Sequence, residues 1–392
     1  MPPLDHTCGR ELGGRQLSAP KLRKGTPERA GLDTGELGRL VQEVHDATAG
    51  ERPWAAGAVV VVGRGPVIAV EEAAGWAVRY ASYDPETDAG VELPAASRVP
   101  MTVDTPFDLA SLTKLFTSVA AVQQIERGTL GIDAQVGAYL PDFLAAARHG
   151  ITVRQLLTHT SGLRPELPLY DCVDDAERLE RLRAEPPVGV PGAFCYSDLN
   201  MLLLQHVLER VTGRPLDVLF RDGITRPLGM TATHFGPCPE AAATEDQRRP
   251  WAKADRGMLR GEVHDENAWA LGGVAGHAGL FSTGRDLAVL CRALLAGGSY
   301  GQARILGTDF VELMLTPPGL GFALDEPSFM GGMAGRGAAG HTGFTGTMLT
   351  FDPATDTFLV LLANTVHPRR RGPANGPRAA AGTRVARAVR GR

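Results

Sequence analysis

Lysine is nearly missing from this chain. Of its 40 basic residues only Lys21, Lys24, Lys114 and Lys253 are lysine, so a lysine inside a motif carries information. Cysteine is sparse as well. Cys8, Cys172, Cys195, Cys238 and Cys291 stand apart, with no CxxC pair and no histidine at metal-ligand spacing. That pattern speaks against a disulfide scaffold or a zinc site, and an odd number of thiols suits a reducing compartment. Positive charge is not in surplus: 44 acidic residues face 40 basic ones, which argues against a nucleic-acid partner. Long hydrophobic runs are lacking too. The longest, Trp54 to Gly63, is too short to span a bilayer, and Met1 to Thr26 holds no apolar stretch of signal-peptide length. The expectation is a soluble, cytoplasmic protein with no membrane partner. What remains is ordinary for a globular fold: 392 residues, 43% hydrophobic and 21% charged, enough to bury a core without staples.

The first 30 residues read as an irregular extension. From Thr34 to Ala47, Leu37, Leu40, Val41 and Val44 share one helical face, with Thr34 as the cap. Ala55 to Val62 is valine-rich and bounded by glycine, which predicts a buried strand; Val67 to Glu72 predicts a second, joined through Arg64-Gly65-Pro66. Tyr80 to Pro100 is polar and reads as a surface loop. A helical middle follows, with Ser111 to Arg127, a short helix capped by Thr152 and reaching His159, Asp198 to Thr212, and Arg285 to Leu295. Four short β-type runs come next: Gly319 to Leu324, Ala338 to Thr342, Thr347 to Phe351 and Thr357 to Ala363. Arg378 to Arg390 predicts a last helix. This order implies an α/β (α+β) fold, in which an antiparallel sheet from residues 31–110 and 270–392 is flanked by helices. Residues 111–269 form a mostly helical insertion, and the active site lies in the groove between the two parts.

The strongest chemical signal is Phe107-Asp108-Leu109-Ala110-Ser111-Leu112-Thr113-Lys114. Ser111 stands at a helix start and Lys114 one turn on, so both face the same side. A serine hydroxyl is a poor nucleophile until a neighbouring group takes its proton, and a helix N-terminus offers N–H groups to a developing oxyanion. S-x-x-K alone is a weak signal, since Ser18-Ala19-Pro20-Lys21 also matches it. Two further elements are Tyr196-Ser197-Asp198, at the mouth of a helix, and His341-Thr342-Gly343, at the end of a strand.

In this order and at these distances the three elements resemble those of the serine β-lactamase and penicillin-binding-protein superfamily. The tyrosine points to its class C branch, which includes esterases, D-amino-acid peptidases and transacylases. Leu156 to Leu163, Pro227-Leu228-Gly229-Met230 and Gly279 to Ser282 look similar as well. The resemblance implies that Ser111 is acylated, that Lys114 organises its proton network, and that Tyr196 is the general base with its pKa lowered by Lys114 and His341. It also implies an oxyanion hole from the backbone N–H groups of Ser111 and Phe344, with Asp198, His341, Thr342 and Gly343 contacting substrate. No metal and no cofactor is implied; the partner is a small-molecule acyl donor.

Two positions depart from the family pattern. His341 replaces the usual lysine and is largely neutral at pH 7. Asp198 replaces a frequent asparagine and lacks its amide donor. Efficient β-lactam hydrolysis is therefore not expected. His277 reads as a hydrogen-bonded turn residue, His159 as a loop stabiliser, Cys195 as packing, and Arg369, Arg370 and Arg371 as a solvated turn. His264, Asp265 and Glu266 are consecutive, a poor arrangement for holding a metal. The leading function is hydrolysis of a small ester or amide. The alternatives are acyl transfer to an amine or alcohol in natural-product biosynthesis, and a non-catalytic β-lactam-binding protein.

Overall fold

A computed structural model describes residues 19–372 and 375–389. Cys8, Ser18 and Arg390 lie outside the described residues. A mainly antiparallel sheet runs through the molecule. Its strands are β1 (Arg23–Lys24), β2 (Gly57–Arg64), β3 (Val67–Val78), β4 (Ala323–Leu324), β5 (Ala339–Thr342), β6 (Met348–Asp352) and β7 (Thr357–Ala363). They lie in the order β1-β3-β2-β7-β6-β5-β4, and Val99–Pro100 pairs with the end of β3. The two chain ends meet at the β2–β7 seam, where Val61 pairs with Val360.

β2 is apolar on both sides because both faces of the sheet are covered. Side chains alternate along a strand. Val60 and Val62 pack under helices α1 (Thr34–Thr48) and, at the other end of the chain, Gly376–Ala388, together with Leu37, Leu40 and Val385. Val59 and Val61 face the larger core, shared with Leu287 and Leu290 of Gly284–Leu295 and with the helices between the two sheet halves. Among those helices are α2 (Thr113–Glu126) and α3 (Asp198–Thr212), with α4 (Gly284–Leu295) and α5 (Gly376–Ala388) completing the set used below. Among the described residues no helix is long and apolar enough to cross a membrane.

Several local expectations are corrected. Asp33 rather than Thr34 caps α1: its Oδ1 accepts from the Glu36 N–H at 2.9 Å, which frees Thr34 for the first turn. Tyr80 to Pro100 is no plain loop, since Tyr80–Asp84 and Ala89–Glu92 form a hairpin. Tyr80 and Tyr83 are buried, an anchoring hidden by the polar residues around them. The extension is not wholly irregular either, because β1 pairs in parallel with β3, Arg23 opposite Val67. In Gly319 to Leu324 only the last two residues pair as a strand.

Candidate active site

The turn that carries Ser111 is fixed by its neighbours on several sides. Phe107–Asp108 pairs with Leu280–Ser282 in a small three-stranded sheet of its own. Asp108 is buried there, and its two carboxylate oxygens accept from the Ala110 N–H at 2.8 Å and the His264 N–H at 2.6 Å. Ala110 is forced to φ +47°, a conformation that costs a non-glycine residue energy and persists only where its surroundings insist. Thr345 Oγ1 bonds the Asp108 carbonyl at 2.7 Å and Thr347 Oγ1 the Leu109 carbonyl at 3.0 Å. Ser111 thus stands in a 3-10 turn, Ala110–Leu112, that leads directly into α2.

Lys114, one turn on, is buried to 0% exposure. Its Nζ donates to Ser111 Oγ at 2.8 Å and to the His277 carbonyl at 3.2 Å, and lies 2.8 Å from Asp198 Oδ1. Tyr196 enters from the helical part, with the Lys114 ammonium 4.9 Å from its ring centroid and its phenol under the influence of both Lys114 and Ser111. The rings of His159 and His341 pack against it at 4.8 and 5.8 Å. The three elements read from the sequence therefore meet around one hydroxyl.

The electrostatics differ from the sequence expectation in one respect. Tyr196 as a whole is 36% exposed, but the water lost around its phenol end pushes the phenol up, Lys114 pulls it down, and Asp198 pushes it up again; the net shift is upward. His341 does not help to lower it. Burial, followed by the charge on Lys114, lowers His341 to about 4, so at pH 7 it is a neutral ring whose Nδ1 donates to the Thr342 carbonyl at 2.7 Å. Burial also weighs against the Lys114 ammonium, but Asp198 and then Tyr196 outweigh it and hold it above its ordinary value. At neutral pH the two groups nearest the serine proton, Lys114 and Tyr196, are therefore already protonated.

That arrangement predicts a pH profile. The value of kcat/KM should climb into the alkaline range as the Lys114–Tyr196 pair loses a proton. Asp198 raises both groups, so Asp198→Asn should move the rising limb to lower pH by about one to two units. A limb that stays in place in that variant would remove Asp198 from the control of the base.

His159 holds the second element. Its backbone is left-handed at φ +54°, and its Nδ1 accepts from the Ser197 N–H at 3.1 Å and lies 3.1 Å from Asn200 Nδ2. Burial lowers this ring to about 3, which keeps it a neutral acceptor. His277 is buried with Nε2 2.9 Å from Asp265 Oδ1. Asp198, Asp265 and His277 bring their ligand atoms within 4.8 Å of one another. This trio does not suit a metal ion, because the Lys114 ammonium already provides the cation beside Asp198.

On the sheet side Gly343 closes the site. A Cβ there would come within 2.1 Å of Thr347 Oγ1 and 2.3 Å of the Leu109 carbonyl, so only glycine lets β5 approach the nucleophile turn. Arg378 of α5 donates to the Gly343 carbonyl at 3.0 Å. Among the described residues the Ser111 and Phe344 N–H groups donate to no acceptor, which leaves both to a ligand. Ser111, Tyr196, His341, Thr342, Gly343 and Phe344 line one cleft of about 900 Å³. Asp108 and Arg378 were not singled out in the sequence. The first sits two residues before Ala110 and is legible in retrospect, whereas the second has no local signal.

The arginine turn is corrected as well. Arg370 is not solvated: its N–H donates to Glu245 Oε1 at 2.7 Å, its guanidinium pairs with Glu245 and Glu266, and it lies over the Phe344 ring. Arg369 stacks on Tyr83 and Trp251 at 4.8 and 5.7 Å.

An S-x-x-K serine, a tyrosine and a histidine-threonine-glycine strand end around one cleft, on a mainly antiparallel sheet flanked by helices, define a β-lactamase/transpeptidase-like fold. The Beta-lactamase family model matches residues 42–383, and the chain belongs to that family. Over 320 residues it is 33% identical to a "Putative D-alanyl-D-alanine carboxypeptidase" of Escherichia coli (strain K12), covering 71% of this chain and 73% of the relative. Among solved structures, "EstCE1, a hydrolase with promiscuous acyltransferase activity" superposes with a TM-score of 0.68 at 23% identity, over 90% of this chain and 99% of that one. A penicillin-binding protein homologue from Caulobacter crescentus reaches 0.66 at 20% identity, over 90% and 97%.

Proposed function

We propose that the protein hydrolyses a small ester or amide through a covalent acyl-Ser111 intermediate. The observation that carries this reading is the contact of Ser111 Oγ with Lys114 Nζ at 2.8 Å, with the Tyr196 ring centroid 4.9 Å from the same ammonium at the head of an open cleft. Once the Lys114–Tyr196 pair has lost a proton, Tyr196 takes the proton of Ser111 as Oγ attacks the carbonyl. The Ser111 and Phe344 N–H groups receive the oxyanion, and Tyr196 returns the proton to the leaving group. Water then repeats the sequence on the acyl-serine. An amine or alcohol in the place of water makes the same steps an acyl transfer. Among amides, a peptide ending in D-alanine is the substrate class named for the relative, and it belongs in the test.

The substrate comparison uses p-nitrophenyl butyrate, nitrocefin and a peptide ending in D-Ala-D-Ala. Neutral His341 offers no permanent cation to a β-lactam carboxylate. Losing one charged hydrogen bond costs about 1.5–3 kcal/mol, or roughly one to two orders of magnitude in kcat/KM. The ester should therefore exceed nitrocefin by at least that margin, with an acyl adduct on Ser111 visible by mass spectrometry. Comparable values for ester and nitrocefin would overturn the role given to His341, and no adduct from any substrate would sink the hydrolase reading.

A further inference from the structure

The serine cleft adjoins a second cavity. This cavity, about 510 Å³, is lined by Arg52, Asp88, Arg369, Arg370, Arg371 and Gly372, and Arg52, Arg371 and Gly372 line the serine cleft too. Arg52 comes from the segment between α1 and β2, and the other three arginines follow β7. Their side chains are not equivalent. Arg370 is turned inward onto Glu245 and Glu266 and anchors the turn. Arg369 lies over Tyr83 and Trp251, its guanidinium carbon 4.8 and 5.7 Å from the two ring centroids, and pairs with Asp88 at 3.3 Å. Arg52 and Arg371 remain: among the described residues neither has a hydrogen bond or an ion pair.

The charge here is unbalanced. Asp88 is the single acid among the lining residues, and its carboxylate is already engaged by the Tyr83 hydroxyl at 2.6 Å and by Arg369. Glu326, the acid among the residues lining the serine cleft, accepts from the Ser328 N–H at 3.0 Å. Two guanidiniums on a shared wall, which share the single carboxylate of Asp88 with Arg369, repel each other and attract an anion. Each presents a planar fork that matches the paired oxygens of a carboxylate or phosphoryl group. Because the two cavities share these residues, one molecule can lay its acyl group at Ser111 and its charged end between Arg52 and Arg371.

We infer that this second cavity is an anion subsite, and that the substrate acylating Ser111 carries an oxyanion, phosphoryl or carboxylate, remote from its reacting carbonyl. The inference rests on the acyl-serine reading for its substrate, but not for its binding test.

Two measurements decide it. In the first, Ser111→Ala protein is titrated calorimetrically with inorganic pyrophosphate and, separately, with succinate. One or both should bind with Kd below about 1 mM, and the combined Arg52→Gln, Arg371→Gln change should weaken binding at least about tenfold. Preference for pyrophosphate marks a phosphoryl group, and preference for succinate a carboxylate. In the second, wild-type kcat/KM is compared for p-nitrophenyl esters of butyrate and of a dicarboxylate half-acid. The anionic ester should lead by about tenfold at low salt and lose that lead in about 0.5 M salt, while the double variant brings the ratio to about one. No anion binding at about 10 mM, or binding unchanged in the double variant, overturns the subsite. Failure of every ester to acylate Ser111 would instead sink the nucleophile reading and leave the calorimetry to judge the subsite.

Discussion

Ser111→Ala protein should give no covalent adduct with activated esters, and turnover should fall by about 10⁴-fold or more. The fold should survive. Ser111 is only partly buried and contributes one acceptor to Lys114, whose ammonium keeps Asp198 at 2.8 Å and the His277 carbonyl at 3.2 Å. Losing one such hydrogen bond removes about 1 kcal/mol. In a chain of this size that lowers the unfolding temperature by no more than about 2–4 °C. Intact-protein mass spectrometry after exposure to p-nitrophenyl butyrate reads the first effect, and a thermal melt reads the second. Labelling at the wild-type level would show that another residue carries the acyl group.

The second large effect belongs to Tyr196→Phe. The ring, with its packing on His159 and His341 and beneath Lys114, is retained, and only the hydroxyl is lost. If that oxygen accepts the proton of Ser111, the rate should fall by about 10²–10⁴-fold, the span of positioned acid–base catalysis. The upward shift of Tyr196 sharpens the test, because the wild-type rate should rise with pH while the phenylalanine variant loses the part of that rise carried by the phenol. Stopped-flow acylation across the alkaline range supplies both numbers. A loss of less than about threefold, with the pH limb unchanged, would assign the base to Lys114 alone.

The subsite between Arg52 and Arg371 and the base around Tyr196 answer different questions. One concerns which molecules dwell in the cleft, and the other how fast any of them reacts. A variant of Arg52 acts first on KM for anionic esters, whereas a variant of Tyr196 acts on kcat for all of them. Measuring both parameters keeps the two roles apart.

Much of the architecture could be read along the chain. The valine run of β2, the periodic apolar residues of α2 and α3 and the three short motifs are local patterns, and the local backbone obeys them because period and capping are set by near neighbours. The hairpin at Tyr80–Asp84 escaped this reading because its buried tyrosines sit among polar residues and find their partners far away, Tyr83 against Trp251. Chemistry followed the same division. Ser111, Lys114, Tyr196 and His341 could be picked out because their three short motifs, in that order, resemble those of a known family. The direction of the Tyr196 shift did not, because it depends on how deeply the phenol is buried and on where Asp198 lies. Nor did the fates of Arg369, Arg370 and Arg371, three identical residues in a row. One is pinned by Glu245 and Glu266, one is stacked on aromatic rings, and one faces an open cavity. The sequence alone determined which side chains were available and which short segments would turn or coil. Tertiary structure decided which of them lost water and which gained a counter-charge, because desolvation and Coulomb interaction depend on distances in space that adjacency along the chain does not encode.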